Sequence, residues 1–311
     1  MFVFDKEQII YTIGGVRIGG NLGETPTVLA GTIFYGGHKI VTDTKNGIFD
    51  KKAAEALILK QDEMSAATGN PALVQIFSET DVALKKYIDF VTNLTDAPFL
   101  IDSTEPLVRL AGLEYSEEVG LLDRAIYNSL NVSATNEEIE TLRNIQHESA
   151  IILAFNPQDP SIAGRRAVLD HGALDLEKGL LPLSEELGIT KPLIDTAVTA
   201  MGAGAGSAAA FTFVSKTIYG YPTGSGVHNA PSSWSWLRKQ KKINREGFQT
   251  ADAASNLIVQ IMGADFVLYG PIENASRVYP VVAMADVFTA ESANLEFGID
   301  PPDGHPFRKL L

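Results

Sequence analysis

The chain has 311 residues, 45% of them hydrophobic and 20% charged, which is enough apolar material to bury a sizeable core. Its 25 Lys and Arg against 38 Asp and Glu leave a formal net charge of −13, which argues against a nucleic-acid binder and against anionic membrane surfaces. Cysteine is absent, so disulfides, thiolate metal sites and cysteine nucleophiles are excluded.

The N-terminal segment MFVFDKEQ carries Asp5, Lys6 and Glu7 and lacks the apolar run of a signal peptide. Residues Gln8–Gly20 alternate on both sides of Gly14-Gly15, the pattern of a β-hairpin, here expected to cap the bottom of a barrel. Apolar runs and amphipathic stretches then alternate. Thr27–Phe34 reads as a strand and Asp50–Thr68 as a helix with Asp50 at its N-cap. Ala72–Phe77 precedes a helix over Asp81–Asn93. Phe99–Asp102 precedes Pro106–Leu113, and Ala125–Ser129 precedes Asn136–Glu148. Ala150–Phe155 leads to a helix near Leu176–Leu187. Leu193–Val198 leads through the Gly/Ala-rich Met201–Phe213 to a helix ending near Tyr219. That stretch is too short and too poor in Leu for a membrane span, so no membrane insertion is expected. Ser225–Asn229 precedes Pro231–Lys241, and Phe266–Gly270 precedes a helix over Glu273–Ala293. The Pro-rich Asp300–Leu311 reads as an extended tail.

Eight strand candidates, each followed by a helix, predict an all-parallel sheet, because parallel strands need crossover helices. The first strand is followed by YGGHK and not by a dinucleotide fingerprint. The expected fold is therefore an α/β (β/α)8 TIM barrel, not a doubly wound sheet. One unit over residues 1–311 is expected, with the hairpin at about 8–20, the barrel at about 27–293 and the tail at about 294–311.

Barrel chemistry sits where strands end. The predicted strand ends carry Asp102-Ser103, Asn128-Ser129, Asn156, Asp195-Thr196 and His228-Asn229, with Gln75 inside the second strand. His38, His147, His171, His228 and His305 show no H-x-H or H-E-x-x-H spacing, which disfavours a zinc hydrolase. No Lys or Arg ends an apolar run, which disfavours a Schiff-base aldolase and an enzyme needing anion contacts there. Carboxylates and amides together suit a neutral, flat ligand with several donors: a carboxylate takes two parallel hydrogen bonds from an N–C–N edge, and Asn both donates and accepts. Each residue also has a structural reading. Asp102 suits a helix cap, Asn128-Ser129 a turn, Asn229 an N-cap, and His38 and His228 loops lining the mouth. Asp195 lies within an apolar run, where an unpaired carboxylate is costly, and this favours a ligand.

At these residues a family becomes recognisable. PFLIDST (Pro98–Thr104), IYNSLN (Ile126–Asn131), LIDTAV (Leu193–Val198) and GVHNAPSSW (Gly226–Trp234) resemble the pterin-binding barrels of corrinoid-dependent methyltransferases. GTIFYGGHKIV (Gly31–Val41) and DSTEP make the chain most similar to one branch. That branch holds the H subunits of tetrahydromethanopterin S-methyltransferase and the bacterial methylcobalamin:tetrahydrofolate methyltransferases of glycine betaine demethylation. The resemblance implies methyl transfer between a methylcorrinoid and N5 of a tetrahydropterin. Tetrahydrofolate is the expected pterin, giving 5-methyltetrahydrofolate and cob(I)alamin, with tetrahydromethanopterin or a non-catalytic pterin-binding subunit as alternatives. It further implies that Asp102, Asn128 and Asp195, with Ser103 and Ser129, hold the pterin, that Asn229 sits near N5, and that His38 and His228 face the corrinoid. The cobalamin-binding signature D-x-H-x-x-G is absent, since Asp170-His171-Gly172 has the wrong spacing. The corrinoid is thus expected on a separate protein or free, with the enzyme a cytoplasmic homodimer.

Overall fold

A computed structural model describes residues 1–311. The chain opens with strands β1 (Ile10–Ile13) and β2 (Val16–Gly19), paired antiparallel. Gly14 and Gly15 make the turn with φ of 49° and 81°, a conformation that side chains with a Cβ resist. Strand β3 (Val28–Ile33) is followed by a small antiparallel ribbon, β4 (Val41–Asp43) and β5 (Ile48–Phe49), and by helix α1 (Lys51–Thr68). Then come β6 (Ala72–Phe77), α2 (Asp81–Thr92), β7 (Phe99–Asp102), α3 (Pro106–Glu118), β8 (Ala125–Leu130), α4 (Asn136–Asn144) and β9 (Ser149–Leu153). Two helices, α5 (Ile162–Asp170) and α6 (Leu180–Glu186), precede β10 (Lys191–Asp195), and α7 (Ala205–Tyr219) precedes β11 (Thr223–Ser225). Three helices, α8 (Asn229–Ser233), α9 (Ser235–Ile243) and α10 (Arg245–Gln260), lead to β12 (Phe266–Pro271), α11 (Ala275–Phe297) and α12 (Pro306–Leu310).

Eight strands close into a parallel barrel in the order β3-β6-β7-β8-β9-β10-β11-β12, β12 pairing back onto β3. The expected (β/α)8 barrel is thus the observed one. Its interior is a distinct apolar cluster in which Val28, Leu73, Leu100, Ile126, Ile151, Leu193 and Phe266 meet Ile13 and Ile18 of the hairpin. The hairpin therefore plugs the N-terminal end and leaves the C-terminal end as the open face. A second apolar layer lies between strands and helices. Helix starts follow local chemistry: Asp50, Thr80, Thr135 and Ser161 each accept a backbone N–H of the first turn. No helix is long and apolar enough to cross a membrane.

Several expectations need correction. The seventh barrel strand ends at Ser225, not at Asn229: Asn229 and Ala230 donate backbone N–H groups to Gly226 and Val227, which turns the chain into α8. Its TGS sequence has no apolar pattern, because Gly224 lies where a Cβ would run into the Phe266 carbonyl. The expected helix over 231–241 is broken at Trp234, whose ψ is 109°, and its second part, α9, ends at Asn244. Asn244 then caps the unforeseen α10 by accepting the Gly247 N–H at 2.8 Å. Helix α5 and the β4–β5 ribbon were also not foreseen. The final segment is not extended throughout: His305 is buried and caps α12, and α11 runs on to Phe297.

Candidate active site

Side chains alternate across a strand, so residues two positions beyond the interior cluster face the same cavity. Those residues are Thr32, Gln75, Asp102, Asn128, Leu153 and Asp195, following Ala30, Leu73, Leu100, Ile126, Ile151 and Leu193. The interior thus changes from apolar to polar at the open face. Asp102 and Asn128 are register partners on neighbouring strands. Asp195 is level with Leu153 of β9 and ends its strand instead of lying inside it.

The polar positions are linked. Thr32 Oγ1 donates to Gln75 Oε1 at 2.8 Å, and Gln75 Nε2 donates to Asp102 Oδ2 at 2.7 Å. Gln75, noted in the sequence as a polar residue inside the second strand but not assigned to the candidate site, lies two residues before the end of β6 and joins this network. The signal was available: a polar side chain on the inward face of an otherwise apolar strand. Asp102 keeps its second oxygen free. Asp195 accepts the Ala197 N–H on Oδ1 at 2.7 Å and also keeps one oxygen free. Burial pushes the Asp102 carboxyl up to about 6 against the opposing Gln75 hydrogen bond and the Arg109 charge. Burial pushes Asp195 up to about 6 as well, against the Ala197 amide and the Arg165 charge. Near neutral pH both are largely ionised at a desolvation cost, which a ligand with paired N–H donors would relieve. The Asn128 side chain makes no hydrogen bond within the protein, so both ends of its amide are available.

A buried arginine clamps the turn after each aspartate. Arg109 Nη1 donates to the Ser103 carbonyl at 2.8 Å. Its Nη2 lies 2.9 Å from Glu138, which also takes the Tyr127 hydroxyl. Arg165 donates to the carbonyls of Thr196 at 2.9 Å and Ala197 at 3.3 Å. These guanidiniums fix where the carboxylates point without occupying their free oxygens. Neither was visible from strand ends, since each lies on a helix.

Asp195 and Asn229 line one cavity of about 240 Å³ with Leu153, Phe155, Val198 and Gly226. Asn229 is exposed and donates weakly to the Val198 carbonyl at 3.3 Å, so its amide is lightly held. Asp102 and Asn128 belong to the adjoining barrel interior and do not line that cavity. Ser103 Oγ accepts the Glu105 N–H at 3.2 Å, a local turn contact, while Ser129 is buried with no side-chain partner.

His38 does not sit in the open mouth. It is buried, its ring stacks on Tyr35, Nδ1 accepts the Phe34 N–H at 3.1 Å and Nε2 lies 3.1 Å from Glu273. It ties the loop after β3 to the turn after β12. His228 is half-buried, and burial pushes it down to about 4, so it is neutral near pH 7. Its ring packs on Gly270, where a Cβ would come within 2.6 Å of it and where φ is 81°. No group of three or more His, Asp or Glu side chains is placed to hold a metal ion.

Comparison with known proteins places this arrangement. The family model for the tetrahydromethanopterin S-methyltransferase MtrH subunit matches residues 6–302. The H subunit of tetrahydromethanopterin S-methyltransferase from Methanothermobacter marburgensis is 54% identical over the full length of both chains. The corresponding protein from Methanocaldococcus jannaschii is 49% identical, and the H subunit of a putative mtx methyltransferase from Methanosarcina barkeri is 48% identical, each again over the whole of both chains. Among solved structures, a Xanthomonas albilineans dihydropteroate synthase superposes with a TM-score of 0.60 at 15% identity, covering 93% of this chain and 99% of that one, a likeness of fold alone. With full-length matches of this strength, the chain belongs to the MtrH family, within the corrinoid-dependent methyltransferases.

Proposed function

We propose that this protein carries a methyl group between N5 of tetrahydromethanopterin and the cobalt of a corrinoid held on a separate protein. The observation that carries this reading is the pair of inward, desolvated aspartates, Asp102 and Asp195, each with a free oxygen and each beside an amide. A pterin ring presents an amino group and ring N–H as parallel donors, which is what such a carboxylate accepts. Asn128, with both ends of its amide unused, suits the neighbouring carbonyl and ring nitrogen. The choice of tetrahydromethanopterin over tetrahydrofolate, the pterin first expected from the sequence, rests on the names of the full-length relatives. Those names also support a role as one component of a larger methyltransferase. We retain the homodimer expected from the sequence as part of the proposal.

The corrinoid supplies a cobalt that can give or take a methyl group, so the protein needs no nucleophile of its own. The cavity at Asp195 has room for a bicyclic heterocycle and not for a corrin ring, which suits a corrinoid approaching from outside. The protein's work is then positional. Asp102, Asn128 and Asp195 hold the ring, Leu153 and Phe155 exclude water from one side, and Asn229 on the rim faces N5. A lightly held amide can donate to an amine or accept from its protonated form by rotating. That serves a transfer that must run in both directions.

The test is anaerobic incubation with cob(I)alamin and either N5-methyltetrahydromethanopterin or N5-methyltetrahydrofolate, followed by the corrinoid spectrum, with the corrinoid partner protein as a third arm. Methylation with the methanopterin substrate supports the proposal. Methylation with the folate alone would replace the pterin, and none in any arm would leave a non-catalytic pterin binder.

A further inference from the structure

A second cavity, of about 600 Å³, opens beside the first, between the loop after β3, the turn after β12 and helices α9 and α10. Lys39, Lys241, Arg245 and Arg277 all line it, in a protein whose net charge is −13. None of the four has a carboxylate within 4.0 Å. The same cavity holds two acids: Glu273 takes the Tyr35 hydroxyl at 2.8 Å and faces His38, while Asp252 accepts from Asn274 at 3.3 Å and burial pushes its carboxyl up to about 6 against the Arg277 and Lys241 charges. Four cations against two acids leave the site with an excess of positive charge, and an oxyanion relieves that repulsion. The place is also favourable, because loops after the last two barrel strands are where this architecture commonly binds phosphate.

The two cavities share a wall. His228 lines the cationic one and Asn229, the next residue, lines the cavity of Asp195. We propose that the cationic cavity is an anion subsite that takes the phosphate or carboxylate end of the substrate's side arm while the ring lies at Asp195. A concave site of this size suits a small-molecule arm better than the flat surface of a protein partner. The arm assignment rests on the pterin reading of the neighbouring site, while the anion subsite itself does not. Neutral His228 at the dividing wall adds no charge. The Lys241 ammonium lies 4.7 Å from the centre of the Phe248 ring, a cation–π contact that holds it in the cavity with no carboxylate bound to it.

The test compares calorimetric affinities of the full-length protein for 6-methyltetrahydropterin, which has no arm, for tetrahydromethanopterin, for tetrahydrofolate and for inorganic pyrophosphate. The variant is Lys241→Ala with Arg245→Ala, both exposed positions. The double variant is expected to lose about 10- to 100-fold in affinity for arm-bearing pterins and for pyrophosphate, the worth of one or two charge-assisted hydrogen bonds, with 6-methyltetrahydropterin unaffected. A loss with tetrahydromethanopterin and not with tetrahydrofolate would make phosphate the group read, and an equal loss would make it any oxyanion. Equal affinity of the variant and the unaltered protein for both arm-bearing pterins and pyrophosphate would overturn the subsite and leave the ring site standing. Pyrophosphate binding that the variant abolishes, with no binding of 6-methyltetrahydropterin, would keep the anion subsite and overturn the pterin reading.

Discussion

Replacing Asp195 with Asn separates the cost of the site from its use. Burial moves the Asp195 carboxyl from 3.8 to about 6. One pKa unit is worth about 1.4 kcal/mol, so holding the side chain ionised at pH 7.5 costs the fold about 3 kcal/mol. The sign follows from proton binding. The folded state holds this proton more tightly than the unfolded state does. The penalty is therefore full above pH 6, shrinks as pH falls toward 4, and is absent below the unfolded value. Asparagine is neutral at every pH and keeps the oxygen that accepts the Ala197 N–H. Asp195→Asn should therefore raise the midpoint of thermal unfolding at pH 7.5 by roughly 4 °C for a chain of this size, and the gap should close toward pH 4. The same change should weaken tetrahydropterin binding by about 10- to 100-fold, because one hydrogen bond to a charged acceptor is lost and an amide donor is turned toward ligand donors. Scanning calorimetry at several pH values, with titration of the pterin at pH 7.5, measures both. A variant less stable at pH 7.5, or a gap that does not change with pH, would refute the reasoning that this carboxylate is kept ionised against its surroundings for a ligand.

Other substitutions probe the remaining parts. Pterin affinity should be level between pH 7 and 8 and fall as pH drops through about 6, where Asp102 and Asp195 gain protons and lose acceptor capacity, as titration calorimetry across that range would show. Asn229→Ala should lower the rate of methyl transfer by about 10- to 100-fold with little change in pterin affinity, which single-turnover spectroscopy beside calorimetry resolves. Arg109→Met should cost about 3–5 kcal/mol of stability in denaturant titration, since it strands the buried Glu138, while Glu138→Gln combined with it should recover part of the loss. Gly270→Ala should cost about 1–3 kcal/mol, from positive φ and from the His228 ring that a Cβ would displace.

The barrel was legible because its signal is repeated: apolar runs punctuated by helix caps recover most strands to within a residue or two, Ala72–Phe77 and Phe99–Asp102 without error. Legibility failed where a strand carries no apolar side chains. Thr223–Ser225 is recognisable only through Gly224, which is small because Phe266 crosses it. The inward placement of Asp102, Asn128 and Asp195 follows from period-two alternation and could be read in advance. What three-dimensional closure adds is the company these residues keep. Gln75 joins Asp102 across neighbouring strands, and Arg109 and Arg165 reach from helices to the turns that follow Asp102 and Asp195. Lys39, Lys241 with Arg245, and Arg277 come from three separate segments, which the pairing of β12 with β3 brings to one cavity. His38 reads in sequence as a loop residue lining the mouth, because it lies beyond the end of the first barrel strand. The Phe34 amide and Glu273 draw it inside instead.

The central claim is that the carboxylates at the barrel mouth hold a tetrahydropterin, and titration of tetrahydromethanopterin into the unaltered protein and into Asp102→Asn/Asp195→Asn at pH 7.5 tests it most directly. The account predicts one ligand per chain in the unaltered protein, and a loss of about 100-fold or more in a double variant that stays folded and melts higher. Equal affinity in the two proteins, or no binding to the unaltered one, would contradict it.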